Sequence, residues 1–136
     1  MDSKRATILC VDDEEPGLQV RRMLLESAGY NVVCARSGAE GIKAFQSQPI
    51  DAVVLDYWMS GMNGIAVARE LKRLSPHTPI MILSAYGTLL DETLGLADIW
   101  LRKGEEEPQY ILTKLQELLD NRAARQLHTA PPAANQ

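Results

Sequence analysis

The chain has 136 residues, which fits one domain and leaves too little length for two domains of ordinary size. Its 46% hydrophobic and 24% charged residues are typical of a folded globular domain and exclude the disordered, collagen-like and coiled-coil classes. The 14 basic and 18 acidic residues give a net charge of −4, and no basic cluster is interleaved with aromatics, which disfavours direct binding to DNA or RNA.

Short apolar runs alternate along the chain with segments of helical periodicity, a pattern typical of βαβ units and a parallel sheet. In chain order, we predict strands over residues 7–11, 31–35, 52–55, 80–83 and 99–101. We predict helices over residues 16–28, 39–48, 64–74, 89–96 and 108–127. The predicted fold class is therefore α/β, with a five-stranded parallel sheet flanked by helices on both faces.

The predicted helices carry recognisable start and stop signals. Pro16 suits a first helical turn, and Gly29 suits a left-handed position after the first helix. Ser37 can cap the second helix, with Glu40 three residues later completing a capping box. The last helix has an apolar stripe that can pack on the sheet, formed by Ile111, Leu112, Leu115, Leu118 and Leu119.

The two ends of the chain set the expected domain limits and location. We assign residues 5–127 to one domain and 128–136, which contain two adjacent prolines and no periodicity, to a disordered tail or the start of a linker. The apolar runs are far shorter than the roughly 18 residues of a membrane span, and the start lacks the apolar region of a secretory signal. We therefore expect a soluble cytoplasmic protein.

The cysteines and histidines are too few and too scattered for metal or nucleophilic chemistry. Cys10 and Cys34 each lie in a strand-like apolar run without a second cysteine at metal-binding spacing, so we interpret them as small reduced core residues. His77 and His128 fit neither a zinc site nor a nucleophile–base pair.

Polar residues follow the predicted strands at their carboxyl ends, where ligands bind in open α/β sheets. Asp12 and Asp13 follow the first strand, Asp56 the third, Ser84 the fourth and Lys103 the fifth. Three carboxylates at one edge repel each other unless a cation lies among them, and an all-oxygen set without histidine suits Mg²⁺. The sequence therefore predicts a magnesium site at this edge of the sheet.

The same residues can perform phosphoryl chemistry. Asp56 can attack phosphorus to form an aspartyl phosphate, while Lys103 and Ser84 supply an ammonium and a hydroxyl for the transferring group. A structural interpretation also exists for each residue taken alone, since Asp12 and Asp13 can cap a helix, Asp56 can cap a loop and Lys103 can be a surface residue. Because these acidic, hydroxyl and ammonium groups occur together at successive strand ends, we favour phosphoryl chemistry over the structural roles.

The polar residues lie in motifs that resemble those of a two-component response-regulator receiver domain, a CheY-like phosphoacceptor. The motifs are Val11-Asp12-Asp13-Glu14, the run from Leu55 to Gly64, Ile82-Leu83-Ser84-Ala85 and Trp100-Leu101-Arg102-Lys103. The resemblance covers about residues 5–122 and implies the strand order 2-1-3-4-5. It also implies a phosphorylation-dependent signalling switch rather than a turnover enzyme, limited to self-catalysed phosphotransfer and autodephosphorylation.

The resemblance implies a role for each acidic residue. Asp56 is the expected phosphoacceptor, and it is expected to bind Mg²⁺ together with Asp13 and the backbone carbonyl of Trp58. Asp12 is expected to act on the metal through water.

The resemblance also implies which residues stabilise the phosphoryl group and which respond to it by moving. Lys103 is expected to pair with the phosphoryl oxygens, and Ser84 to move and hydrogen-bond to them. Trp100 is expected to turn inward as the switch aromatic.

The implied partners are a sensor histidine kinase or phosphotransfer protein, and either a downstream protein or an effector domain outside this chain. We expect no direct contact with nucleic acid or membrane, and a homodimer stays an open alternative.

The chain departs from the family pattern around its fourth helix. Gly104 stands where the family usually has a proline after its lysine, and the segment from Ser84 to Lys103 is short by about one helical turn. The helix over residues 89–96 is therefore expected to be shortened, which leaves a phosphorylation-independent interaction module as an alternative function.

Two other function classes fit the sequence poorly. Phosphatases with an aspartyl nucleophile typically carry Asp-x-Asp, and Trp58 occupies the position of the second aspartate. A flavodoxin-like cofactor module is disfavoured because no Gly-x-Gly-x-x-Gly follows the first strand.

Overall fold

The computed structural model describes residues 5–57, 59, 61, 63–84, 97–102 and 108–128. The side chains of Trp100, Arg102 and residues 123–128 lie outside this description. So do the predicted helix over residues 89–96 and residues 129–136 of the predicted tail.

The strands form one parallel sheet in the order β2-β1-β3-β4-β5. Their bounds are Thr7–Val11 (β1), Asn31–Ala35 (β2), Ala52–Asp56 (β3), Ile80–Ser84 (β4) and Ile99–Arg102 (β5). The parallel pairing of the first four strands, in the order β2-β1-β3-β4, confirms this part of the predicted sheet. At the outer edge of β4, Met81 lies opposite Ile99 of β5.

Four helices belong to the described residues. They are α1 (Glu15–Ser27), α2 (Gly38–Ser47), α3 (Gly64–Leu74) and α4 (Pro108–His128). The helix α4 ends at His128, one residue beyond the predicted end at residue 127.

The predicted helix signals are largely confirmed. Pro16 lies in the first turn of α1, and Gly29 follows the helix with a φ of +98°. Ser37 Oγ accepts from the backbone N–H of Glu40 at 3.1 Å. Glu40 Oε1 accepts from the N–H of Arg36 at 2.9 Å. In an ideal capping box it would accept from the N–H of the capping residue itself, Ser37.

Helices cover both faces of the sheet. Side chains of α2 and α3 pack on one face, and those of α1 and α4 pack on the other. In the last helix, Leu115 and Leu118 of the predicted apolar stripe are buried. The β3 and β4 strands are buried at every residue, as expected for central parallel strands covered on both sides.

Among the described residues, no helix is both long enough and apolar enough to cross a membrane.

The two cysteines are free thiols, as predicted, with Cys10 buried and Cys34 half-buried. Burial raises the pKa of the Cys10 thiol to about 12, and burial also raises the pKa of Cys34. We expect iodoacetamide at about pH 8 to label Cys34 in the folded protein and Cys10 only after unfolding, because the thiolate is the reactive form. Peptide mass spectrometry measures both rates, and equal rates in the folded protein would contradict this assignment.

Asp98 accepts hydrogen bonds at the amino end of β4, at the opposite end of the strand from Ser84. Its Oδ2 accepts from the N–H of Ile80 at 2.7 Å and from Lys72 Nζ at 3.1 Å. We expect Asp98→Ala to lower the free energy of unfolding by about 1–3 kcal/mol, because it leaves both donors without this acceptor. Urea denaturation measures the change. The control Asp120→Ala removes an exposed carboxylate from α4, and an equal effect of both changes would argue against a special role for Asp98.

Candidate functional site

The carboxyl edge of the sheet gathers four of the predicted site residues. Asp12 and Asp13 directly follow β1, and Asp56 and Ser84 are the final residues of β3 and β4. The sequence had placed Asp56 and Ser84 just beyond their strands. The structure corrects this, because Asp56 is still paired with Leu83 across the sheet, and Ser84 is still paired with β5.

The three aspartates form a compact cluster. One carboxylate oxygen from each of Asp12, Asp13 and Asp56 lies within 4.8 Å of the other two. Asp12 is completely buried, Asp56 is 3% exposed and Asp13 is half-buried. Oxygen ligands at this spacing suit a small hard cation such as Mg²⁺, so the residues present fit the predicted metal.

Asp12 is held from two sides. Its Oδ1 accepts from the backbone N–H of Glu14 at 2.9 Å, and its Oδ2 accepts from Arg21 Nη1 of α1 at 2.9 Å. Its own N–H donates to the carbonyl of Ala35 in β2 at 3.1 Å. The capping residue of α1 is Glu14, whose side chain makes no capping bond, so neither aspartate is the capping residue of this helix.

Arg21 was missed in the prediction from sequence. It lies on the same face of α1 as Leu18 and Leu25, at helical spacings of three and four residues. Both leucines are buried and the Arg21 side chain is 11% exposed. A basic residue inside an apolar stripe is the signal that could have identified it.

The chain after Asp56 returns closely to the strand. Tyr57 donates its N–H to the carbonyl of Leu83 at 2.8 Å and accepts from the N–H of Gly64 at 2.8 Å. Asn63 caps α3, its Oδ1 accepting from the N–H of Ala66 at 3.0 Å. The first turn of α3 is therefore hydrogen-bonded to the backbone of Tyr57, the residue after the predicted phosphoacceptor.

Gly64 permits this close approach. A Cβ at Gly64 would lie 2.8 Å from the carbonyl oxygen of Asp56 and 2.9 Å from the Cα of Tyr57. Both neighbours are backbone atoms, so a larger side chain would displace the end of β3 or the start of α3.

The remaining predicted residues are only partly described. Ser84 is 4% exposed at the end of β4, the strand beside β3. Lys103 and Trp58 lie outside the described residues. The backbone of Trp100 lies in β5 opposite Ile82, while its side chain lies outside the description.

Comparison with protein families gives a match to the response regulator receiver domain over residues 8–97. Among curated proteins, the chain is similar to the transcriptional regulatory protein GlrR of Escherichia coli, with 37% identity over 91 residues. That match covers 67% of this chain and 20% of GlrR. The alkaline phosphatase synthesis transcriptional regulatory protein PhoP of Bacillus subtilis is 35% identical over 99 residues, covering 71% of this chain and 41% of PhoP. The chain thus spans about a fifth to two fifths of these relatives.

Solved structures give the same assignment. The response regulator TrrA of Thermotoga maritima, in complex with Mg(2+)-BeF, has 31% identity and a TM-score of 0.78, covering 83% of this chain and 98% of that one. A CheY-like receiver domain protein of Methanospirillum hungatei matches in fold, with a TM-score of 0.82, 24% identity and coverage of 90% and 99%. The family match, the sheet order and the acidic cluster at its carboxyl edge agree, and the chain belongs to the response regulator receiver domain family of two-component signalling systems.

Proposed function

We propose that this receiver domain is a phosphorylation-dependent switch that accepts a phosphoryl group on Asp56 from a sensor histidine kinase or a phosphotransfer protein. The observation that carries the proposal is the cluster of three carboxylates around the end of β3, with Asp56 as the last residue of that strand. Three carboxylates gathered in a largely buried cluster repel one another, so their presence together favours a site that binds a cation and, with it, a phosphoryl group.

The reaction is a direct displacement at phosphorus. A carboxylate oxygen of Asp56 attacks the phosphorus atom, forming an O–P bond, and the P–N bond to the donor histidine breaks with its electron pair returning to the imidazole nitrogen. With acetyl phosphate as donor, the broken bond is P–O and the leaving group is acetate. The domain catalyses its own phosphorylation and the hydrolysis of its aspartyl phosphate, and it is not a turnover enzyme.

Mg²⁺ fits the cluster because every ligand atom available there is oxygen. In this proposal, Asp13, Asp56 and the backbone carbonyl of Trp58 hold the ion, and Asp12 acts through water. Bound Mg²⁺ would neutralise charge on the phosphoryl oxygens. The complex of the related TrrA with Mg(2+)-BeF supports Mg²⁺ as the metal.

Three further residues complete the proposed switch. The Lys103 ammonium pairs with the phosphoryl oxygens, and the Ser84 hydroxyl donates a hydrogen bond to them. The buried position of Ser84 at the end of the strand next to β3 supports its role. Trp100 then turns inward and changes the surface that a downstream protein contacts.

The output is proposed to pass through protein contacts. The relatives GlrR and PhoP are named as transcriptional regulatory proteins and are longer than this chain. A DNA output would therefore act through a downstream protein or an effector domain outside this chain.

Phosphorylation itself is tested by the intact mass of the protein after incubation with acetyl phosphate, with and without Mg²⁺. We expect one phosphoryl adduct that requires Mg²⁺. A folded protein that forms no adduct under any condition would instead favour a phosphorylation-independent interaction module.

A further inference from the structure

Arg21 places a positive charge at the edge of the acidic cluster from within the buried face of α1. Its Nη1 lies 2.9 Å from Asp12 Oδ2, with the arginine side chain 11% exposed and the aspartate side chain fully buried. The next residue, Arg22, forms an ordinary surface ion pair with Glu26, in which both side chains are 46% exposed. The two neighbouring arginines therefore differ sharply in environment.

A buried ion pair is a weak source of stability, because removing both charges from water costs about as much as their attraction returns. An apolar residue between Leu18 and Leu25 would continue the stripe that α1 packs on the sheet. The packing of α1 therefore does not explain an arginine at this position, whereas its contact with the buried charge of Asp12 does.

Gly17 leaves room for this contact. A Cβ at Gly17 would lie 3.4 Å from Asp12 Oδ2 and 3.5 Å from Arg21 Nη2. A methyl group would just fit at these distances, whereas a longer side chain would enter the space of the ion pair.

The charge of Arg21 has opposite effects on the two states of the cluster. Without a metal ion, the guanidinium offsets repulsion among three carboxylates that lie within 4.8 Å of each other. The same guanidinium would repel a divalent cation bound at the cluster, and it also holds one oxygen of Asp12.

We propose that Arg21 is a positioning residue that weakens Mg²⁺ binding and stabilises the metal-free domain, an inference that rests on the proposed Mg²⁺ site. Arg21 holds Asp12 in place when the metal is absent. The receiver domain therefore remains folded without Mg²⁺ and takes up the ion only when its concentration is high enough to overcome this repulsion.

Isothermal titration calorimetry with Mg²⁺ alone tests the proposal on the full chain. We expect Arg21→Gln, which keeps a hydrogen-bond donor but removes the charge, to bind Mg²⁺ roughly tenfold more tightly or better. Arg21→Lys keeps the charge and should bind like the wild type. Arg22→Gln removes the same charge from an exposed position of the same helix and should also bind like the wild type.

Thermal unfolding with and without saturating Mg²⁺ separates this role from a purely structural one. We expect Arg21→Gln to lower the Tm in the absence of Mg²⁺ and to regain a large part of the loss at saturation, because the ion binds the folded variant more tightly. An arginine that served only packing would give the same loss in both conditions.

The outcomes distinguish the two proposals. If the wild type binds Mg²⁺ and Arg21→Gln binds with the same affinity, the role of Arg21 is overturned and the proposed function stands. If neither the wild type nor Arg21→Gln binds Mg²⁺, the proposed metal-dependent function fails as well.

Discussion

An Asp56→Asn variant is expected to form no phosphoryl adduct with acetyl phosphate and Mg²⁺. The amide replaces the carboxylate that attacks phosphorus and is a far weaker nucleophile. It also removes one of the three oxygen ligands that lie within 4.8 Å of each other, so Mg²⁺ binding should weaken too. Intact mass spectrometry of wild type and variant under the same conditions measures the loss.

Asp51→Asn is the matched control for this loss. Asp51 directly precedes β3, at the opposite end of the strand from Asp56, and its Oδ2 accepts from the N–H of Thr7 at 2.7 Å. An asparagine can keep that hydrogen bond while the charge changes by the same amount, so the adduct should persist. An Asp56→Asn protein that is phosphorylated as fully as the wild type would refute the assignment of the phosphoacceptor.

Gly64→Ala is expected to be the most disruptive single-methyl substitution near the site. The added Cβ would lie 2.8 Å from the carbonyl oxygen of Asp56 and 2.9 Å from Tyr57 Cα, both backbone atoms that move only with β3 or α3. We expect a loss of about 1–3 kcal/mol in the free energy of unfolding, the usual range for overpacking. We also expect slower phosphorylation, because relief of the contact displaces Asp56.

Urea denaturation and the rate of adduct formation measure the two effects of Gly64→Ala. Ala66→Ser adds one heavy atom at an exposed position of the same helix and should change stability by about 0.5 kcal/mol or less. If Gly64→Ala is as stable and as quickly phosphorylated as this control, the close approach of α3 to Asp56 does not constrain the site.

The parallel sheet and the acidic cluster could be predicted because both follow from the order of elements along the chain. Alternating strands and helices give a parallel sheet, and the carboxyl ends of parallel strands share one edge. Asp12, Asp13 and Asp56 therefore had to come near each other once their strands were identified. The cluster in the structure confirms that they do.

The strand ends were less predictable. Asp56 and Ser84 are polar, and hydrophobic patterning places the end of a strand at its last apolar residue. In the structure Asp56 is still paired with β4 and Ser84 with β5, so the sheet continues to these two residues. Both are almost completely buried. The burial of a polar residue depends on the elements that pack around it. The local pattern of apolar and polar residues carries no information about those elements.

The sequence can mark Arg21 as a basic residue in an apolar stripe, but the roles of Arg21 and Gly64 depend on contacts between elements and could not be assigned from it. The spacing on α1 places Arg21 among leucines, yet its partner Asp12 belongs to another segment. The close approach at Gly64 depends on how the chain after β3 returns to the strand. Such contacts require the packed structure.

The position of the phosphoryl group in the chain decides whether Asp56 is the phosphoacceptor. Borohydride reduction of the protein phosphorylated with acetyl phosphate and Mg²⁺ converts an aspartyl phosphate to homoserine, which peptide mass spectrometry locates in the sequence. We expect homoserine at position 56, with Asp12 and Asp13 unmodified. Homoserine at any other position, with Asp56 unmodified, would contradict it.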